Sequence, residues 1–172
     1  MFHGWDSFYL LIGSGALGLI GLLFVVATLT AGREASTVTR GAQLYMTPTV
    51  FHLAVVLVVS AVTETPEITP PTVGIVLGAC AVFGLIYLIY VGVEIARGEL
   101  APAPHWSDVW FYAVAPAVIY LGLAAVAVSA WRDPQWTSYG IALTMMALLL
   151  IAIRNAWDLV TWLAPRRDES PK

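Results

Sequence analysis

The chain is 172 residues long, 59% hydrophobic and only 11% charged, with a formal net charge of −3. A soluble domain carries about a quarter charged residues, so this composition excludes an ordinary water-soluble globule and points to lipid. It also argues against nucleic-acid binding, because the eight Lys and Arg form no basic patch.

Five apolar stretches organise the sequence, at Phe8–Thr30, Pro48–Val62, Thr72–Val93, Val109–Trp131 and Ser138–Trp157. Most are long enough to cross a hydrocarbon core that needs about 20 helical residues. The expected fold class is an all-α polytopic membrane bundle of five transmembrane helices. Residues 1–165 form its single domain, and residues 166–172 a short charged tail. Arg33, Arg40, Arg97, Arg166, Arg167 and Lys172 fall on one side of the alternating spans, and Arg132 alone on the other. Positive loops resist translocation, which predicts the N-terminus outside and the C-terminus in the cytoplasm, in a bacterial-type plasma (inner) membrane.

The first span reads as uncleaved, since no basic residue precedes it and the positive charges follow it. It contains Gly13-Ser14-Gly15-Ala16-Leu17-Gly18, the spacing of a dinucleotide fingerprint. That motif needs a preceding strand and an accessible helix N-terminus, so inside a lipid-length helix it is rejected. Ser14, Gly18 and Gly21 instead share a face suited to close helix packing.

The second span is the weakest, with Pro48 near its start, where a first turn tolerates proline. Reading it back to Leu44 lets it cross, and a re-entrant segment is the alternative. Pro66, Pro70 and Pro71 make Thr63–Thr72 a short, stiff loop.

The third span repeats the small-residue device with Gly74 and Gly78, followed by Ala81, for contact within the chain or between protomers. Its Cys80, the sole cysteine, excludes an intrachain disulfide and reads as a small apolar residue. In the fourth span Pro116 predicts a kink. All seven Trp lie near span ends, as an aromatic belt at headgroup depth requires.

Depth follows from a rise of about 1.5 Å per helical residue. His52 and Arg154 then fall about 6 Å inside the inner boundary, and Tyr87, Tyr90, Tyr112 and Asn155 lie near that level. Glu94 and Asp158 mark the boundary itself. Tyr87, Tyr90 and Glu94 share one helix face, and Arg154 and Asp158 are i, i+4 neighbours. Ionisable groups inside a span are costly unless paired, so a cytosol-open polar pocket of His52, Tyr87, Tyr90, Glu94, Arg154, Asn155 and Asp158 is one expectation. The other is ordinary boundary chemistry, with Arg154 snorkelling and the tyrosines in the aromatic belt.

Sharper chemistries find little support. A bis-histidine haem needs a second histidine at matching depth, which neither His3 nor His105 supplies. No zinc-binding spacing occurs, and Ser14, Ser60 and Cys80 lie at other depths than His52. No cofactor is predicted. The expected function is a small non-enzymatic accessory or scaffold protein in contact with membrane lipid, as a homo-oligomer or in a larger membrane complex. An oligomeric small-solute or ion transporter is the alternative, and an enzyme acting on a lipid or quinone comes third.

Overall fold

The computed structural model describes residues 2–30, 36–96 and 106–163. Among them every regular element is helical: α1 (Asp6–Thr30), α2 (Ser36–Thr63), α3 (Pro70–Ala96), a single turn α4 (Trp106–Val109), a π-helical turn (Trp110–Val114), α5 (Ala115–Arg132) and α6 (Pro134–Leu163). α4, the π-turn and α5 follow one another without a break. There are thus five helices long and apolar enough to cross a membrane. Arg33, Glu94's side chain, Arg97, His105, the side chain of Trp162 and the tail from residue 164 lie outside the described residues, as do the side chains of 36–45.

Contacts fix the antiparallel arrangement. The Tyr9 hydroxyl near the start of α1 donates to the Ser138 carbonyl near the start of α6, at 2.8 Å. Gly13 abuts Ser60 near the end of α2, and Gly74 abuts Trp131 near the end of α5. The starts of α1, α3 and α6 therefore share one end of the bundle, the upper end, with the ends of α2 and α5.

The α2 and α6 spans are the most enclosed, each 50% buried against 22% for α1. Leu53, Val56, Val59, Leu77, Leu123, Ile141, Met145 and Leu148 fill the interior between the helices. Leu10, Leu17, Phe24, Ile75, Phe83, Ile89, Leu121, Leu143 and Leu150 point outward and are exposed. So large an apolar surface is a liability in water but is at no disadvantage between lipid tails. Trp106, Trp110, Trp131, Trp136 and Trp157 are exposed close to helix ends.

Lipid removes most of the hydrophobic drive between helices, so association depends on close packing and hydrogen bonds. The α3–α5 contact is built this way. A Cβ added at Gly74 would lie 2.9 Å from the Ala127 carbonyl oxygen and also strike the Trp131 indole. Ala81 is fully buried, and a Cβ at Gly84 would run into the Tyr120 ring. At Gly78 the nearest atom is the Ala127 Cβ at 3.9 Å, an ordinary contact. On α1 the arrangement is reversed. Ser14 is exposed, and Cβ atoms at Gly18 and Gly21 would meet nothing within 4 Å. Gly13, whose Cβ would lie 2.8 Å from the Ser60 Cβ, makes the close approach to α2.

Pro48 stands well inside α2 rather than in its first turn, because the helix begins twelve residues earlier at Ser36. Membrane helices tolerate an internal proline where neighbouring groups take up the freed backbone. α2 is one continuous helix, with a stretch from Met46 to Thr63 long and apolar enough to cross a membrane.

Two upper corners share one chemistry, a capping side chain followed by proline. The Thr69 hydroxyl accepts from the Thr72 N–H at 3.4 Å, and Pro70 opens α3. Asp133 Oδ1 accepts from the N–H groups of Gln135 and Trp136 at 3.2 and 3.4 Å, and Pro134 opens α6. A cap satisfies backbone donors that a helix start leaves open, and proline at the first position has no donor to lose. Asp133→Ala should therefore lower stability by about 1 kcal/mol, within the usual 0.5–2 range, measured by reversible unfolding in mixed micelles. An unchanged midpoint would mean that Pro134 and water suffice at this corner.

Candidate functional site

Of the seven residues expected to share a pocket, the side chain of Glu94 lies outside the described residues, and the other six fall into two groups. His52 stands on α2, fully buried, with its Nδ1 2.9 Å from the Tyr120 hydroxyl of α5. It makes no hydrogen bond or ion pair with Arg154, Asn155 or Asp158. Its ring lies 5.6 Å from that of Tyr120 and 6.2 Å from that of Phe51, between centroids. Phe51 in turn stacks on Tyr87 of α3 at 4.7 Å, and Tyr87 adjoins the exposed Tyr90 at 6.5 Å. The first group is thus a histidine at the inner end of a row of aromatic rings.

The second group sits at the lower end and is organised by Pro116. The Ala115 N–H bonds the Trp110 carbonyl, an i to i−5 pairing that widens the helix into its π-turn. In that register the next donor would be the N–H of residue 116, directed at the Phe111 carbonyl. Proline has none. The Asn155 Nδ2 of α6 supplies the missing donor, 3.3 Å from Phe111 O. The expected kink is therefore realised as a π-turn, repaired from a neighbouring helix.

Asn155 is fully buried, and its remaining groups are also engaged. Its Oδ1 accepts from Arg154 Nη1 at 3.2 Å, and its backbone carbonyl accepts from the Tyr112 hydroxyl at 3.3 Å. A carbonyl only accepts, so the Phe111 contact requires the amide nitrogen on that side and fixes the amide orientation.

The Arg154 guanidinium lies over the Phe111 ring, 3.9 Å from its centroid, and its Nη1 is 3.9 Å from Asp158 Oδ2. The cation is held in place by a ring, an amide and a carboxylate. Its ion pair with Asp158 is partly exposed at both ends, 34% and 50%, and pairs in such positions contribute about 0–1 kcal/mol. The main part of this group is structural: it ties α6 to the π-turn.

Tyr120, Phe111 and Gly84 belong to these groups and were not singled out by sequence reasoning. Tyr120 and Phe111 are single aromatics in an aromatic-rich span, with no charge to mark them. Gly84 could have been found, since it continues the run of Gly74, Gly78 and Ala81 on α3 at helical spacing. Among the described residues no cluster of three or more His, Cys, Asp or Glu could hold a metal ion. No family model matches the chain, and neither does any curated protein or solved structure compared with it.

Proposed function

We propose that this chain is a small non-enzymatic membrane protein that works by association, as an accessory or scaffold subunit in a homo-oligomer or larger membrane complex. The observation that carries this reading is how its in-span polar groups are used. Asn155, Tyr9, Tyr112 and Arg154 are bonded to other parts of the same bundle, which suits a packing module better than a reaction centre. The outward Ser14, Gly18 and Gly21 on the least enclosed helix leave room for a partner helix to approach the α1 backbone. The distribution of arginines supports the N-terminus outside and a plasma-membrane location of bacterial type.

The test is association of the full chain in its native membrane, read by cross-linking and by mass spectrometry of the intact complex. Gly18→Leu and Gly21→Leu should weaken the association constant about tenfold, a loss of about 1.4 kcal/mol of contact energy. Their unfolding midpoints should stay at the wild-type value, because those positions face away from the bundle. A wild-type chain that runs as a bare monomer at native density would overturn the proposal. Solute flux in proteoliposomes that falls on His52→Ala would transfer the assignment to the transporter class.

A further inference from the structure

Among the described residues two buried side-chain atoms lack a hydrogen-bond partner, His52 Nε2 and Ser60 Oγ. The serine is readily accounted for, since a helical hydroxyl can rotate onto a carbonyl of its own preceding turn. The imidazole has no such freedom. Its Nδ1 is held by Tyr120, and the ring is flanked by Phe51 and Tyr120. Buried polar atoms are nearly always paired, and an unpaired one inside a membrane protein marks a candidate site of function.

What surrounds that nitrogen restricts what could complete it. The rings in contact with His52 are those of Phe51 and Tyr120, and no charged side chain is bonded to it. An ionic ligand would be desolvated there without a counter-charge. A neutral, flat ring would instead find aromatic faces. The row Tyr90, Tyr87, Phe51, His52 leads inward from an exposed tyrosine through two half-buried rings to the buried imidazole, with centroid steps of 6.5, 4.7 and 6.2 Å. It therefore starts at the lipid-facing surface of α3. When the Tyr120 hydroxyl donates to Nδ1, the ring proton sits on Nε2, and His52 becomes a donor in need of an acceptor.

We propose that His52 Nε2–H donates to a carbonyl oxygen of a lipid-soluble, quinone-type ring that reaches it from the bilayer between Phe51 and Tyr87. His52 is fully enclosed when that pair is stacked, so the two half-buried rings must part to admit the ligand. Tyr120 acts as a positioning residue that sets the imidazole tautomer, and Gly84 leaves the space in which the Tyr120 ring is seated. The proposal concerns binding alone and is independent of the association reading.

The test uses the full-length chain in lipid nanodiscs, labelled with 15N-histidine and titrated with decylubiquinone. With three histidines in the sequence, His52→Leu assigns the resonance by its disappearance. The expected result is a saturable shift of the His52 Nε2 signal at one quinone per chain. Quenching of the intrinsic fluorescence should report the same Kd, raised about tenfold by Tyr87→Ala or His52→Leu. Tyr120→Phe should leave quinone bound but redistribute the two tautomer signals, which a purely space-filling tyrosine would not do. A His52 signal that is unmoved at saturating quinone overturns the proposal, and a cross-peak to a trapped water would then name the real partner. A porphyrin absorbance band in the purified protein, with Nε2 bound to iron, overturns it as well. If His52→Leu does not fold, His3→Gln combined with His105→Gln assigns the His52 resonance by elimination, and the titration then decides the matter.

Discussion

Replacing Asn155 with Leu should destabilise the bundle by about 1–3 kcal/mol, and Pro116→Ala should remove most of that cost. Leucine matches asparagine in size but cannot donate to the Phe111 carbonyl, which then stays buried and unpaired. Hydrogen bonds between membrane helices average only about 0.6 kcal/mol, because each partner finds substitutes when the helices separate. This one should exceed that average. While Pro116 is present, the Phe111 carbonyl has no donor in the π-register of its own helix. Alanine at 116 restores an N–H that can serve Phe111 or return the turn to regular helix, leaving residue 155 free to change. The two substitutions should thus be strongly non-additive, with a coupling of about 1 kcal/mol or more. Unfolding midpoints of the four proteins in mixed micelles measure it. Additive effects would show that Asn155 serves Arg154 or Tyr112 instead.

The glycines of the bundle should divide sharply under substitution by alanine. Gly84→Ala and Gly74→Ala should each cost about 1–3 kcal/mol, the range for overpacked sites. At Gly84 the new methyl meets the ring of Tyr120, which is fully buried and tied to His52, so it cannot swing clear. At Gly74 it meets backbone, the Ala127 carbonyl, so α3 and α5 must move apart. Gly78→Ala should be near neutral, since its methyl would rest at 3.9 Å from Ala127 Cβ. Gly15→Ala should be neutral or slightly stabilising, because alanine is the better helix former by about 1 kcal/mol and the site is open. Thermal unfolding followed by circular dichroism in detergent separates these classes. Equal losses at Gly78 and Gly84 would mean that α3 tolerates no side chain along the whole seam.

The number of helices and the approximate place of each apolar span were legible because they depend on local quantities. Runs of apolar residues, prolines at the corners and tryptophans at the ends act within a few turns of the chain, and each leaves its mark in the order of residues. The extra turns at the start of α2 were missed because Ser36–Gln43 is more polar than a span, although it continues the same helix. The small-residue faces were also visible as spacing, but spacing does not say which way a face points. Gly74 came to lie against α5, whereas Ser14, Gly18 and Gly21 were turned outward.

The polar cluster divides along the same line. Depth counting placed His52 and Arg154 at one level, and the structure separates them. Their partners Tyr120 and Phe111 stand nine residues apart on one continuous helix, about 13 Å of rise. The count went wrong because α2 begins at Ser36, well before the boundary assumed, which sets His52 deeper against Tyr120 while Arg154 and Asn155 meet Phe111 near the lower end. By itself the sequence determined five apolar helices, their alternation and the presence of polar side chains among them. Only the tertiary structure decided that Asn155 completes the helix that Pro116 interrupts, and that His52 keeps one nitrogen unbonded. Both outcomes come from pairing across 44 and 68 residues of chain, and nothing local to either partner encodes that meeting.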